Sequence, residues 1–181
     1  MNWLCLFITI YCFFCTQVGS AESFIKYDKD KNLKFSSLVG TFLPFGIVGV
    51  RDNYHFWNVA FSHPTRVTRI EYSLNTFNTK QVHLYNLAVG PRIDYKAFDS
   101  FHGYYLVGLD GYYYQRKPSN LTREFPYYRQ GGIHLGFGAF LHLAGNFVLR
   151  TDFKFGFSPG QSLFAGIGLE YTLDTSDNKG P

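Results

Sequence analysis

The fold of this chain is decided by the stretch from Gly132 to Leu173, which reads GIHLGFGAFLHLAGNFVLRTDFKFGFSPGQSLFAGIGLEYTL. Apolar residues occupy every second position in three segments of it, and the positions between hold mostly glycines and charged residues such as Arg150, Asp152 and Lys154. Successive side chains of a β-strand point to opposite faces of the sheet. The stretch therefore predicts three strands, each with one apolar face and one face of small and charged residues.

The polar face of these segments carries more glycine than a sheet facing bulk water needs. In a transmembrane barrel the apolar residues face lipid, and the crowded lumen takes small and charged side chains. The segments are also ten to twelve residues long, which is the length that a tilted strand needs to cross a bilayer. The alternation predicts a transmembrane β-barrel in the outer membrane of a cell.

The same alternation recurs upstream and gives eight segments in all. Single-chain bacterial barrels have an even number of strands, so the predicted fold class is all-β, an eight-stranded antiparallel up-and-down transmembrane β-barrel. The predicted strands lie at about 33–42, 56–61, 66–76, 81–95, 104–114, 131–143, 146–157 and 162–173.

The connections between these segments predict the orientation of the barrel. Such barrels have short turns on the periplasmic side and longer loops outside. If both termini are periplasmic, the two longest connections, 43–55 and 115–130, both fall on the outer side. The inner turns are then 62–65, 96–102 and 144–146, and the remaining outer loops are 76–80 and 158–161.

The N-terminal residues predict export from the cytoplasm. Residues 3–15 form an apolar run, and the small residues that follow suit cleavage after Ala21, so 1–21 is interpreted as a signal peptide. A lipoprotein with Cys15 as the lipidated residue is the alternative. All three cysteines lie in this segment, which leaves the mature chain without a disulfide. The expected domains are a short periplasmic segment 22–32, the barrel 33–173 and a polar tail 174–181.

With these strands and turns in place, the chain resembles a known family. The glycine-rich strand, the short turn, the charged strand and the final FAGIGLEYTL are similar to the end of small outer-membrane barrels of Gram-negative bacteria. These include the OmpA membrane domain, OmpX and the opacity proteins. The resemblance covers about 103–173 and implies a porin-like multi-pass barrel, here expected as a monomer. Family members end on an aromatic residue, whereas here Leu173 is followed by the polar tail.

Charged residues on the inward-facing positions predict what fills the lumen. Eight strands leave an interior only wide enough for side chains, and buried charges must be paired. The sequence therefore predicts an ion-pair network and no appreciable conductance, with Arg150, Asp152 and Glu170 as the clearest set. The nine residues are Arg69, Glu71, Arg92, Asp94, Asp110, Arg150, Asp152, Lys154 and Glu170.

The outer loop 115–130 is the predicted binding surface, because it combines four basic residues with aromatic ones and a single Glu124. Loops on a rigid scaffold often carry binding residues. Arginine pairs well with phosphate, and tyrosine supplies rigid contact area. The expected partners are lipopolysaccharide and phospholipid, or alternatively another surface or envelope protein. The predicted residues are Arg116, Lys117, Arg123, Phe125, Tyr127, Tyr128 and Arg129.

Two other classes of function stay open at this point. Some barrels of this size are lipid acyltransferases or deacylases that use histidine and serine at the outer rim, but the histidines here share no recognisable motif with a serine. The candidates are His55, His83 and Ser162, with His134 and His142 on the lumen side and His63 and His102 in predicted inner turns. A soluble lipocalin-type barrel would turn the apolar faces inward. No catalytic residue, metal, cofactor or nucleic acid is predicted.

Overall fold

The computed structural model describes residues 32–45, 53–66, 68–78, 82–96, 101–116, 127–158 and 160–173. The predicted signal peptide, nearly all of the segment that follows it, and the polar tail lie outside these ranges. Within them, no helix is long and apolar enough to cross a bilayer.

Eight antiparallel strands close into one barrel, in which each strand pairs with the next and β1 pairs with β8. This architecture confirms the predicted fold class. The strands are β1 (Leu33–Pro44), β2 (Tyr54–Pro64), β3 (Arg69–Asn78), β4 (Val82–Lys96), β5 (Phe101–Arg116), β6 (Tyr127–Ala144), β7 (Phe147–Gly156) and β8 (Ser162–Leu173).

The strands β5 and β6 are longer than predicted. They stay paired as far as Gln115 and Tyr127, so the loop between them covers 117–126 rather than 115–130. The polar residues at these strand ends suggested a loop. They remain in the sheet because each strand satisfies the backbone groups of the other. Arg116, Tyr127, Tyr128 and Arg129 therefore belong to strands.

The barrel has two unlike ends. At one end β6 and β7 are joined through Gly145 and Asn146 alone, where Gly145 adopts a φ of 55° that favours glycine. The short connection between β2 and β3 lies at the same end, where the backbone N–H of Thr65 donates to the carbonyl of Thr68. This is called the turn end below. The opposite end, which carries the longer connections from β1 to β2 and from β5 to β6, is called the loop end.

The apolar positions of the strands face outward. Phe153 and Phe155 on β7 are 40% and 44% exposed, whereas Asp152 and Lys154 between them are buried. The lipocalin-type alternative is therefore wrong, since it requires these phenylalanines to point inward. Further exposed apolar residues lie around the whole barrel: Phe35, Val39, Trp57, Val59, Leu74, Leu87, Val107, Leu109, Ile133, Leu135, Ile167 and Leu169.

Candidate functional site

The interior of the barrel has an aromatic part near the loop end. Phe42 is fully buried there, with ring centroids 4.5 Å from Phe164 and 4.9 Å from Phe77. Phe42 and Phe164 lie on the neighbouring strands β1 and β8, and Phe77 lies on β3. Further buried rings at Tyr112 and Tyr114 lie on β5, opposite β1, so the group as a whole reaches across the lumen. We call this group the loop-end aromatic cluster; its members are Phe42, Tyr54, Phe56, Phe77, Leu84, Tyr112, Tyr114 and Phe164.

Towards the turn end the interior is ionic, and Arg92 on β4 is one of its two centres. The Arg92 guanidinium is fully buried and donates to Glu71 on β3 at 2.9 Å and to Glu170 on β8 at 2.9 and 3.0 Å. It also makes two bonds to Asp94, at 2.6 and 3.1 Å. Three carboxylates thus surround the Arg92 guanidinium, and their hydrogen bonds compensate for the hydration that this cation loses on burial.

Arg150 on β7 is the second centre. Its guanidinium is 1% exposed and donates twice to Asp152, at 2.7 and 3.0 Å. Further donations reach Glu170 at 3.0 Å and Glu71 at 2.8 Å. Glu71 and Glu170 therefore each bridge the two arginines. We call these six side chains the central network: Glu71, Arg92, Asp94, Arg150, Asp152 and Glu170.

The central network spans the lumen rather than following its wall. Arg92 and Glu170 lie on β4 and β8, four strands apart in a ring of eight, and are therefore on opposite sides of the barrel. Glu71 and Arg150 lie on β3 and β7, which are also opposite. Direct hydrogen bonds across the barrel leave little room along its axis at this level, because an eight-stranded interior is only as wide as the side chains that fill it.

Aromatic rings support the two arginines from the turn end. The Arg92 guanidinium lies 4.9 Å from the ring centroid of Tyr104 and 4.7 Å from that of Phe140, and Arg150 lies 4.9 Å from Tyr104. Contacts of this kind stabilise a cation that has been removed from water. The Tyr104 ring lies over Gly138, where a Cβ would collide with it. Glycine at this position is therefore required by close packing.

A second polar chain runs around the wall between the two parts of the interior. Asn58 donates to Asn75 at 2.8 Å, and Asn75 donates to Asn86 at 2.7 Å. Asn86 in turn donates to Asp110 at 3.0 Å, whose other carboxylate oxygen contacts Nδ1 of His134 at 2.9 Å. This chain crosses β2 to β6 and holds Asp110 apart from the central network.

The structure places the predicted lumen residues in three settings. Six of the nine form the central network, and Lys154 joins it at 3.4 Å from Asp152 and 3.8 Å from Glu71. Asp110 lies in the asparagine chain. Arg69 lies near the turn end and donates to the carbonyl of Asn32 and, at 3.3 Å, to Ser62.

Of the predicted loop residues, the structure describes the side chain of Arg129 and not those of the others. Arg129 is exposed on β6. Lys117, Arg123 and Phe125, and the side chains of Arg116, Tyr127 and Tyr128, lie outside the described part of the structure, so their binding role stays a prediction.

The histidines are dispersed over the barrel. His134 is buried against Asp110, while His55, His83 and His142 are exposed. His63 stacks between Phe61 and Tyr72 on the outer surface, with centroid distances of 6.2 and 5.8 Å. Ser162 is buried on β8, and His102 lines a small space at the turn end. In the described ranges, no group of three or more metal-ligating side chains is found.

Sequence reasoning missed Lys34, whose ammonium lies 3.3 Å from Asp94. Its inward position on β1 would have been found from its spacing to Ser36 and Leu38, both of which are buried. Lys34 adds a fifth cation to the four predicted, which matches the five carboxylates. The asparagine chain and the loop-end aromatic cluster were also missed.

Eight antiparallel strands in a closed barrel, with an apolar exterior and an interior that holds buried ion pairs, define the class of eight-stranded transmembrane β-barrels, and this chain has that fold. No protein-family model and no curated protein matches the sequence.

Solved structures do match the fold. Neisserial surface protein A has a TM-score of 0.63 at 8% identity, and the match covers 78% of this chain and 96% of that one. The N-terminal β-barrel domain of OprF from Pseudomonas aeruginosa has a TM-score of 0.58 at 12% identity, covering 79% and 98%. Ail of Yersinia pestis, in complex with the heparin analogue sucrose octasulfate, has a TM-score of 0.56 at 10% identity, covering 78% and 97%. None of these similarities supports the lipid-modifying enzyme.

Proposed function

We propose that this protein is an integral outer-membrane β-barrel that serves membrane structure and displays its loop end at the cell surface. The observation that carries this proposal is the belt of exposed apolar side chains around the whole exterior. An apolar surface of this extent is unfavourable in water and favourable in lipid. The lumen is closed by side chains, so the barrel acts as a scaffold rather than as a pore.

Aromatic rings near the two ends of the barrel support the same proposal. Tyr95 and Tyr105 stack at 5.1 Å towards the turn end, and Tyr85 and Tyr113 lie 6.4 Å apart towards the loop end. Such rings are enriched where the hydrocarbon of a bilayer meets its headgroups. Aromatic pairs at both ends of β4 and β5 match a protein that spans the membrane.

The first test combines fractionation with electrophysiology. The protein is expected in the membrane fraction, released by detergent but not by high salt or alkaline wash. In planar bilayers it is expected to give no large, steady single-channel current, because the central network and the loop-end aromatic cluster both cross the lumen. Recovery in the soluble periplasm without detergent, or a stable pore current, would contradict the proposal.

The loop end is the proposed interaction surface, and phosphorylated lipid is the ligand that its charge favours. Arg129 is exposed on β6 above the apolar belt. Arg116, Lys117 and Arg123 precede it in the same stretch of sequence, 115–130. Arginine binds phosphate through two parallel hydrogen bonds. Lipopolysaccharide supplies phosphate at the outer face of the membrane.

The second test reverses two of these charges. The double variant Arg123→Glu and Arg129→Glu is expected to bind purified lipopolysaccharide at least about tenfold more weakly, since each basic residue near an anionic surface contributes roughly 1 kcal/mol. Binding by the natural protein is expected to weaken as salt is added. The Arg123→Lys and Arg129→Lys double variant keeps the charge and is the matched control. Equal binding by all three proteins would exclude a role for this surface in lipid recognition.

A further inference from the structure

Two rows of outward side chains on the apolar exterior of the barrel enclose a groove across β2 to β5. The residues of each row lie opposite one another in register from strand to strand. The space between the rows measures about 700 Å³, which is within the roughly 300–1,000 Å³ of sites that hold small molecules. We call it the outer groove. Its two walls are Phe61, Tyr72 and Val89 on one side and Val59, Leu74 and Leu87 on the other.

The two walls of the outer groove differ in composition. Phe35 on β1 extends the first wall, and its ring centroid lies 5.0 Å from that of Phe61, which in turn lies 6.4 Å from that of Tyr72. Aromatic rings therefore form a continuous ridge along this side. The second wall is aliphatic and ends at Gly111, which lies opposite Leu87 and has no side chain that could close the groove at β5.

The length of the outer groove matches one acyl chain. From β2 to β5 the groove crosses three strand spacings, which amount to roughly 14 Å. The hydrocarbon of one bilayer leaflet is roughly 15 Å thick, which is half of the whole core. One acyl chain of a single leaflet can therefore lie in the groove along most of its length.

A cation lies beyond the groove at the turn end. Arg66 is exposed in the connection between β2 and β3. Its neighbour Thr65 is held there by Thr68, because the Thr65 N–H donates to the Thr68 carbonyl at 2.7 Å and the Thr68 N–H donates to the Thr65 hydroxyl at 3.0 Å. Thr65 follows Phe61 by four residues, a rise of roughly 13 Å along the strand. Arg66 is therefore at the level of the lipid headgroups when the groove lies in hydrocarbon.

No acidic side chain opposes this cation on the two strands that it connects. Glu71 is the one carboxylate of β2 and β3, and it is buried in the central network. Between Arg66 and the groove lies His63, whose ring stacks with Phe61 at 6.2 Å and with Tyr72 at 5.8 Å. An imidazole presents an apolar body and a polar edge, which suits the boundary between hydrocarbon and headgroups. The outer surface here thus combines an apolar groove, an amphipathic ring and a cation.

From this arrangement we propose that Arg66 and the outer groove bind one anionic glycerophospholipid, with its phosphate at Arg66 and an acyl chain in the groove. The inference rests on the proposed function, which places the turn end on the periplasmic side, where the inner leaflet supplies phospholipid. Arginine binds phosphate through two parallel hydrogen bonds, and burial of the chain in the groove adds apolar contact. A second copy of the protein would cover the groove as well, but the exposed cation at its end favours the phospholipid.

The probe is dioleoyl phosphatidylglycerol, which is added to the full protein in a mild detergent and counted by native mass spectrometry. Two further molecules divide its parts. Dioleoylglycerol keeps the chains without the phosphate, and glycerol 3-phosphate keeps the phosphate without the chains. One phosphatidylglycerol is expected to bind per protein. Dioleoylglycerol is expected to bind roughly tenfold more weakly, and glycerol 3-phosphate is expected not to bind.

Paired variants test the cation and the groove separately. Arg66→Glu is expected to bind phosphatidylglycerol roughly tenfold more weakly, since it replaces attraction with repulsion at an anionic headgroup, whereas Arg66→Lys retains most of the affinity. Leu74→Trp places a larger side chain at the groove and is expected to weaken binding severalfold. Its matched control is Leu169→Trp, because Leu169 on β8 is 48% exposed and lies outside the groove. If Leu74→Trp fails to fold by circular dichroism, the Arg66 variants and the three molecules still decide the matter.

Several outcomes would overturn this inference. Equal affinity of Arg66→Glu and the natural protein would remove the cation from the site. Dioleoylglycerol that binds as tightly as phosphatidylglycerol would leave ordinary apolar contact alone, and glycerol 3-phosphate that binds as tightly would show a phosphate site without the groove. A dimer that is lost in Leu74→Trp would assign the groove to a second copy of the protein.

These outcomes leave the proposed function standing, because neither membrane fractionation nor the lipopolysaccharide test depends on Arg66. Recovery of the protein in the soluble periplasm would instead end both, since the outer groove would then face water.

Discussion

Replacing Arg150 with alanine is expected to lower the free energy of unfolding by about 3–5 kcal/mol, because it removes the four hydrogen bonds that a buried guanidinium donates to three buried carboxylates. Arg150 contacts Glu71, Asp152 and Glu170 inside the lumen. Arg92 still reaches Glu71 and Glu170, and Lys154 lies 3.4 Å from Asp152, but neither replaces the paired hydrogen bonds that Arg150 donates to Asp152. The measurement is urea-induced unfolding of the protein refolded in lipid vesicles, followed by tryptophan fluorescence.

The matched control for this change is Arg129→Ala, which removes an arginine exposed on β6. Surface substitutions of this kind change stability by about 0.5 kcal/mol or less. If Arg150→Ala and Arg129→Ala unfold at the same urea concentration, the central network contributes nothing to stability and its description as the structural core of the lumen is wrong.

Replacing Phe42 with alanine is expected to lower the free energy of unfolding by about 3–5 kcal/mol, which is the usual cost of removing a buried aromatic ring. Phe42 is fully buried and contacts Phe77 and Phe164. The barrel wall is held by its backbone ladder, so the space left by the ring cannot close by collapse. The same unfolding experiment measures the loss.

Phe155→Ala is the control for a phenylalanine on the lipid side. Phe155 is 44% exposed on β7, and lipid chains can occupy the space that its ring leaves. Its expected cost is well below that of Phe42→Ala. A larger loss for Phe155→Ala than for Phe42→Ala would mean that the interior is less tightly packed than the ring distances indicate.

The fold was predictable because the decisive signal is local. Alternation along each strand tells which residues share a face, and the turn residues around Gly145 and Pro159 mark where strands reverse. The predicted bounds of β8 agree with the structure. The end of β5 was predicted two residues too early and the start of β6 four residues too late. A strand that continues above the bilayer loses its apolar positions, and its sequence then resembles that of a loop.

The lumen was only partly predictable, because alternation gives the face of a residue and not its height in the barrel. Arg150, Asp152 and Glu170 lie on adjacent strands and were recognised as a set. The pairing of Arg92 with Glu170 depends on the tilt and stagger of strands on opposite sides. The aromatic cluster was hidden for another reason, since Phe164 and Phe56 occupy positions on the face that the pattern assigns to polar residues.

The cross-lumen ion pairs also bear on the order in which the barrel forms. Arg92 and Glu170 are 78 residues apart in sequence, and Glu71 and Arg150 are 79 apart. These side chains can meet only once β1 has paired with β8. The central network therefore forms after the barrel has closed. Interactions that form after the transition state slow unfolding and leave the folding rate unchanged. The charged side chains of the central network therefore give the protein kinetic stability. They slow the unfolding of the closed barrel and do not speed its insertion.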